Sequence, residues 1–228
     1  MRLLSVIFFL SFALSSLGQK YRLIDSNKEF VKIRKTSQFI PLHEDYEISE
    51  RNYIATYKVT FDSVINKSIL GIFHELREKC QRFGGNSFRV VGSDIYKKGK
   101  DKFIEVKFYF LELENFNKNE KLYYSTEVYL MGYLGHHQNI HGYKVRYNDE
   151  EFILQELRYK KFEPEEGESV IIKLGRGMRG TEYTFTAKSG VLPRYFYFEM
   201  VTGSFYNSLI AEYDHNFGEF LKSILNPE

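Results

Sequence analysis

The clearest pattern in the chain runs from Tyr53 to Leu113, where the spacing of apolar residues changes period and then changes back. In Asn52–Asp62 (NYIATYKVTFD), Tyr53, Ala55, Tyr57, Val59 and Phe61 share one face, and Ile54, Thr56, Lys58 and Thr60 share the other. Successive side chains alternate across a strand, so this segment reads as a half-buried strand. Asp62 or Ser63 can accept a hydrogen bond from the free amides of a helix start. Ile65, Ile69, Phe73, Leu76, Cys80 and Phe83 then recur every three or four residues, which lays one apolar stripe along a helix. Gly84-Gly85 ends it, because glycine takes the left-handed cap conformation without a Cβ clash. NSFRVVGSDIY (86–96) predicts a second strand with Gly92 as a bulge. Lys97–Asp101 predicts a turn, and KFIEVKFYFLEL (102–113) a return strand with Ile104, Val106, Phe108 and Phe110 on one face. The helix stripe must lie on the apolar face of this sheet, since neither can bury its face alone.

The flanking segments are less regular. EFVKIRK (29–35) could form an edge strand, Phe39–Leu42 could lie across the core, and acidic His43–Glu50 reads as a surface connection. ELENFNKNEK (112–121) is polar, and domain boundaries fall in such segments, so a division is expected near Asn117. Beyond it come short strands: KLYYSTEVYLMGYL, GYKVRYN and EFILQEL about an Asp149-Glu150 hairpin, SVIIKL, EYTFTA, RYFYFEMV and FYNSLIAEY. Many short strands punctuated by glycines suggest a β-sandwich or small barrel. Asp214 can cap a final helix with Phe217, Phe220, Leu221, Ile224 and Leu225 on its apolar side. The expected fold class is therefore α+β: a βαββ domain over residues 20–116, then a β-sandwich-like domain over 117–228 with a short C-terminal helix.

Met1–Gln19 changes the picture by its charge and length. Arg2, the apolar run Leu3–Leu14 and the small residues around Ser16-Leu17-Gly18 have the layout of a signal peptide. The run falls short of the roughly 20 residues a membrane span needs, so no transmembrane segment is expected. Gln19 or Lys20, not cysteine, follows the cleavage point, so no lipid anchor is expected. The mature chain should be exported, to a periplasm or outside the cell. Lys plus Arg number 32 against 30 for Asp plus Glu, a net charge of +2, which gives no electrostatic footprint for nucleic acid. Cys80 is the only cysteine, so no intramolecular disulfide can form. On a helix stripe it reads as a small core residue, since a reactive thiol needs an electropositive, partly open setting.

The helix end Leu76-Arg77-x-x-Cys80 with Gly84-Gly85-Asn86, followed by a two-stranded return, resembles the small βαββ modules of bacterial envelope proteins, the RcsF/YbjQ-like modules. Their helices end in a small residue and then Gly-Ala-Asn; here Cys80 takes the small position and Gly85 stands for the alanine. The resemblance covers about a quarter of the chain and implies a fold with no chemistry. The spacing of Tyr143, Asn148, Phe152, Tyr159 and Gly167 resembles the β-rich domains of unknown function in bacterial envelope proteins and lipoproteins, which lend no catalytic residues.

Candidate chemistry is sparse. Gly175-Arg-Gly-Met-Arg-Gly180 matches G-x-G-x-x-G, but a strand pattern follows where a dinucleotide site requires a helix, so it reads as a turn. His136, His137 and His141, between Gly135 and Gly142, could gather imidazoles around zinc or copper, or form a solvated loop; no acidic residue lies within the loop. Glu163, Glu165, Glu166 and Glu168 form a charge run in a Pro-bearing turn, and Asn66-Lys67-Ser68 is a glycosylation sequon if the source is eukaryotic. No nucleophile motif is present. The expectation is an exported, non-enzymatic module, without cofactor, that binds another protein or a surface polymer. Two alternatives stand beside it: a metal protein or hydrolase using His136, His137 and His141, and a carbohydrate-binding module using exposed members of the 18 tyrosines and 21 phenylalanines.

Overall fold

A computed structural model of the chain describes residues 19–29, 37–61, 66–96, 102–132, 142–174, 181–201 and 207–228. The leader up to Gly18, the Lys97–Asp101 turn, the Gly175–Gly180 match and His136, His137 and His141 lie outside the described residues. The described chain is mixed α and β, and mostly β.

The first sheet holds β1 (Gln19–Ser26), β2 (Ile40–Pro41), β3 (Tyr53–Phe61), β4 (Ser87–Asp94) and β5 (Lys102–Tyr109), in the order β1-β3-β5-β4-β2. Helix α1 (Asn66–Arg82) connects β3 to β4. Its stripe of Ile69, Ile72, Phe73, Leu76 and Cys80 is buried in one cluster with Val59 and Phe61 of β3 and Ile104, Val106 and Phe108 of β5. Phe83, expected on that stripe, follows the helix end and is 38% exposed. Gly84 (φ 86°) closes the helix in the left-handed region. Its N–H donates to Gln81 O at 3.0 Å and that of Gly85 to Cys80 O at 2.9 Å, which satisfies two of the orphan carbonyls of the last turn. The β4–β5 register shifts between Val90 and Gly92, where glycine suggested a bulge.

The polar segment in which a division is expected near Asn117 forms helix α2 (Leu113–Leu122). Its propensity is modest, and tertiary contacts hold it. Phe116 and Asn119, three residues apart, share the inner face. Phe116 packs with Leu42, Tyr109 and Leu111. The Asn119 side chain accepts from His43 N and donates to Pro41 O, both at 2.9 Å.

Two further sheets follow. One contains β6 (Val128–Gly132), β9 (Arg158–Phe162), β12 (Arg194–Val201), β13 (Asn207–Tyr213) and the short β14 (Asn226–Pro227), in the order β13-β12-β6-β9-β14. The other contains β7 (Tyr143–Tyr147), β8 (Glu150–Leu154), β10 (Ser169–Leu174) and β11 (Thr181–Thr186), in the order β11-β10-β7-β8. The first of these two sheets is covered on both faces. Val128 and Leu130 of β6, with Phe196 and Phe198 of β12, join Val145, Leu154, Val170 and Ile172 of the third sheet in one core. Tyr129, Met131 and Tyr195, pointing the other way, join the core of the first sheet. Burial of both faces explains why β6 and β12 read as nearly unbroken apolar runs.

Helix α3 (His215–Ile224) fills the space between. Asp214 caps it, accepting from Phe217 N at 3.2 Å. Phe217, Phe220, Leu221 and Ile224 are buried in the same cluster as α1 and β5, so one core holds residues from both sides of Asn117. Gly218 is required by close approach: a Cβ there would lie 2.2 Å from the Tyr195 ring.

Candidate binding cleft

Where α3, β4, β6 and β9 meet the segment at Pro41–Glu44, an open cleft of about 410 Å³ forms. Its aromatic walls are Tyr123, Tyr129 and Tyr159, and its charged rim includes Arg89, Lys161, Glu219 and Lys222. The chemistry beneath it is built around Glu219, which is only 5% exposed. An unpaired carboxylate could not be buried so deeply. Glu219 is satisfied by the Tyr195 hydroxyl, which donates to it, and by Lys222 Nζ at 2.6 Å. The i,i+3 spacing on α3 brings the lysine round to the same side as the glutamate. Tyr195 is fully buried, and its ring stacks on Tyr129 at 5.1 Å and 8°. Burial, reinforced by the negative charge of Glu219, pushes the Tyr195 hydroxyl far above the usual phenol range, so it remains a donor.

A second charged chain runs along β6 and β9. Tyr129 Oη donates to Glu127 Oε2 at 2.8 Å, and Lys161 Nζ bridges Glu127 and Glu163 at 2.5 Å each. Burial alone would raise the Glu127 carboxyl; Lys161 and Tyr129 outweigh it and hold it below the usual range. Lys222 also stands 5.1 Å over the Tyr129 ring, a cation–π contact that ties the two chains together.

Tyr123 divides the cleft from a smaller hollow of about 230 Å³ reached by Phe116, Asn119 and Leu192. Edge-to-face contacts at 4.7 Å place His43 on one side of Tyr123 and His215 on the other. His215 opens α3, and its Nδ1 is buried without a hydrogen-bond partner among the described residues. Burial first, and then Lys222, push its pKa down to about 4. Arg89 on β4 is pinned by its Nη2, which donates to His43 O at 2.7 Å and Tyr46 O at 3.0 Å, while its Nε is buried with no partner among the described residues.

A third hollow, of about 390 Å³, lies beside Arg194, Phe185 and Val191. The Arg194 guanidinium is engaged twice by Glu212, at 2.9 and 2.6 Å, and lies 4.1 Å over the Phe185 ring. That arginine is a structural tie and offers little to a ligand.

Sequence reasoning named none of these residues as functional, and it placed no chemistry in His43–Glu50. The candidate metal ligands of the alternative reading, His136, His137 and His141, lie outside the described residues. Among the described residues no group of three or more His, Cys, Asp or Glu side chains could hold a metal ion. Cys80 is fully buried; burial pushes its thiol well above the usual range, and Sγ lies 3.7 Å from Ser87 O. No helix among the described residues is long and apolar enough to cross a membrane. Comparison with known proteins finds no matching family model, no matching curated protein and no matching solved structure.

Proposed function

We propose that the protein is an exported, non-enzymatic binding module of an envelope, built from a βαββ unit and a β-sandwich-like unit, and that the cleft is where it holds its partner. The observation that supports this is the fully paired Glu219–Tyr195–Lys222 group beneath an open aromatic cleft. Paired buried charges fix the walls in one arrangement, and a preformed concave pocket is the usual form of a binding site. The half-buried Tyr159 in the wall favours a surface polymer with sugar rings over a protein partner, because a tyrosine ring offers an apolar face and a polar edge together.

Capture from envelope extract on the immobilised mature protein tests the site. The wild type should retain a polymer that a Tyr159→Ala variant, equally folded by circular dichroism, retains poorly. Equal capture by both would remove the cleft from consideration.

A further inference from the structure

We propose that the cleft selects a saccharide carrying a carboxylate, with Arg89 as its anion anchor; this rests on reading the cleft as the binding site. Three cations line the cleft beside two carboxylates, Glu219 and the exposed Glu44, and two of the cations are already paired. Lys161 is paired with Glu127 and Glu163, and Lys222 with Glu219. Arg89 has no carboxylate partner among the described residues. Its Nη2 donates only to the carbonyls of His43 and Tyr46, neutral acceptors that fix the guanidinium without cancelling its charge.

The Nε of Arg89 is buried and has no acceptor among the described residues. A buried N–H in that state is costly, and native structures seldom leave one so. A carboxylate brought against the guanidinium would add charge-assisted bonds, and a guanidinium held in place loses little freedom on forming them. One guanidinium without an ion-pair partner suits one carboxylate. A phosphate or sulfate cluster would call for several.

The rest of the cleft suits a sugar ring. Among the described residues the hydroxyl of the half-buried Tyr159 has no hydrogen-bond partner, so it can meet a hydroxyl of a ligand while the ring covers an apolar patch. The volume of about 410 Å³ lies in the range of small-ligand pockets.

The test is a nuclear magnetic resonance titration of the labelled mature protein with D-galacturonate and D-glucuronate, and in parallel with neutral D-galactose and D-glucose. The acidic sugars should shift cleft resonances and bind roughly tenfold tighter than the neutral ones, the scale of a charge-assisted contact. Arg89→Gln should erase that preference. Because Arg89 also holds the 43–46 segment, Tyr159→Phe serves as the second variant: it removes only an unpartnered hydroxyl, and should weaken binding of the acidic sugars without lowering the melting temperature. Equal binding of acidic and neutral sugars at the cleft would overturn the carboxylate preference and leave the cleft standing as a binding site. Absence of shifts with either acidic sugar would overturn the proposal, and undiminished polymer capture by Tyr159→Ala would overturn the cleft itself.

Discussion

The sulfur of Cys80 occupies the space that a side chain on Gly85 would need: a Cβ at Gly85 would lie 2.6 Å from Cys80 Sγ. The two residues are joined by the backbone as well, through the Gly85 N–H to Cys80 O bond that closes α1. A larger residue at one position therefore requires a smaller one at the other.

Coupled substitutions test this relationship. Gly85→Ala alone should destabilise by about 1–3 kcal/mol through overpacking, since Ile54 Cδ1 at 2.9 Å and Tyr109 O at 3.1 Å also crowd the new methyl. Cys80→Ala alone should cost on the order of 1 kcal/mol, a small buried group being lost. The double variant should be more stable than the sum of the two costs predicts, by about 0.5 kcal/mol or more on the general scale of contacting pairs. Strict additivity in urea unfolding would show that the neighbours of Gly85, and not the sulfur, set the constraint.

Phe220 on α3 reports whether the chain has one cooperative core. It is 1% exposed and lies 5.2 Å from Phe73 of α1 and 6.1 Å from Phe88 of β4, in the cluster that also holds Tyr129 and Tyr195. Phe220→Ala should cost about 3–5 kcal/mol. The loss should appear in hydrogen exchange of β4 and of β12 together. Loss of protection confined to β12 would show that the first sheet is stable without α3.

These particulars mark what is legible in the sequence. The strand pattern of β3, the stripe of α1 and the cap and stripe of α3 can be read because one periodic set of apolar residues faces one core. Helix α2 cannot, because its buried face is one phenylalanine and one asparagine, and Asn119 is buried only through bonds to a segment 78 positions away. Strand β9 (RYKKF) is hidden by its charges, although it pairs with β6 on one side and β14 on the other. The cleft is illegible for a different reason. Its residues come from the 41–44 segment, β4, the end of α2, β6, β9 and α3, and no local spacing joins them. Glu219 lies off the apolar stripe of α3 and reads as solvent-facing until Tyr195 is placed against it.

Export is tested by the end of the mature chain. The basic, apolar and small-residue order of Met1–Gln19 motivates it. Amino-terminal sequencing of protein recovered from the source cell should begin at Gln19 or Lys20, and a mature form retaining Met1 would refute the localisation.

The buried histidine gives the protein an acid-sensitive stability with a defined window. His215 has a folded pKa of about 4, against about 6.5 for an unperturbed histidine. Its ring faces Tyr123 and Tyr195, Lys222 acts on it, and the positive end of the α3 dipole further disfavours its charged form. Below pH 6.5 the unfolded chain takes a proton there that the folded chain refuses. The unfolded state therefore binds more protons, and stability falls as pH drops from about 6.5 to about 4, below which both states are protonated and the loss levels off. A tenfold difference in proton affinity between the two states is worth roughly 1.4 kcal/mol, so the contribution is a few kcal/mol at most. Urea unfolding of wild type and of His215→Gln at pH 7 and pH 5 separates this from the background of the other groups. Glutamine cannot take the proton, so the variant should lose less stability between the two pH values than the wild type. Parallel losses in both proteins would mean that His215 is not held neutral by its burial against Tyr123.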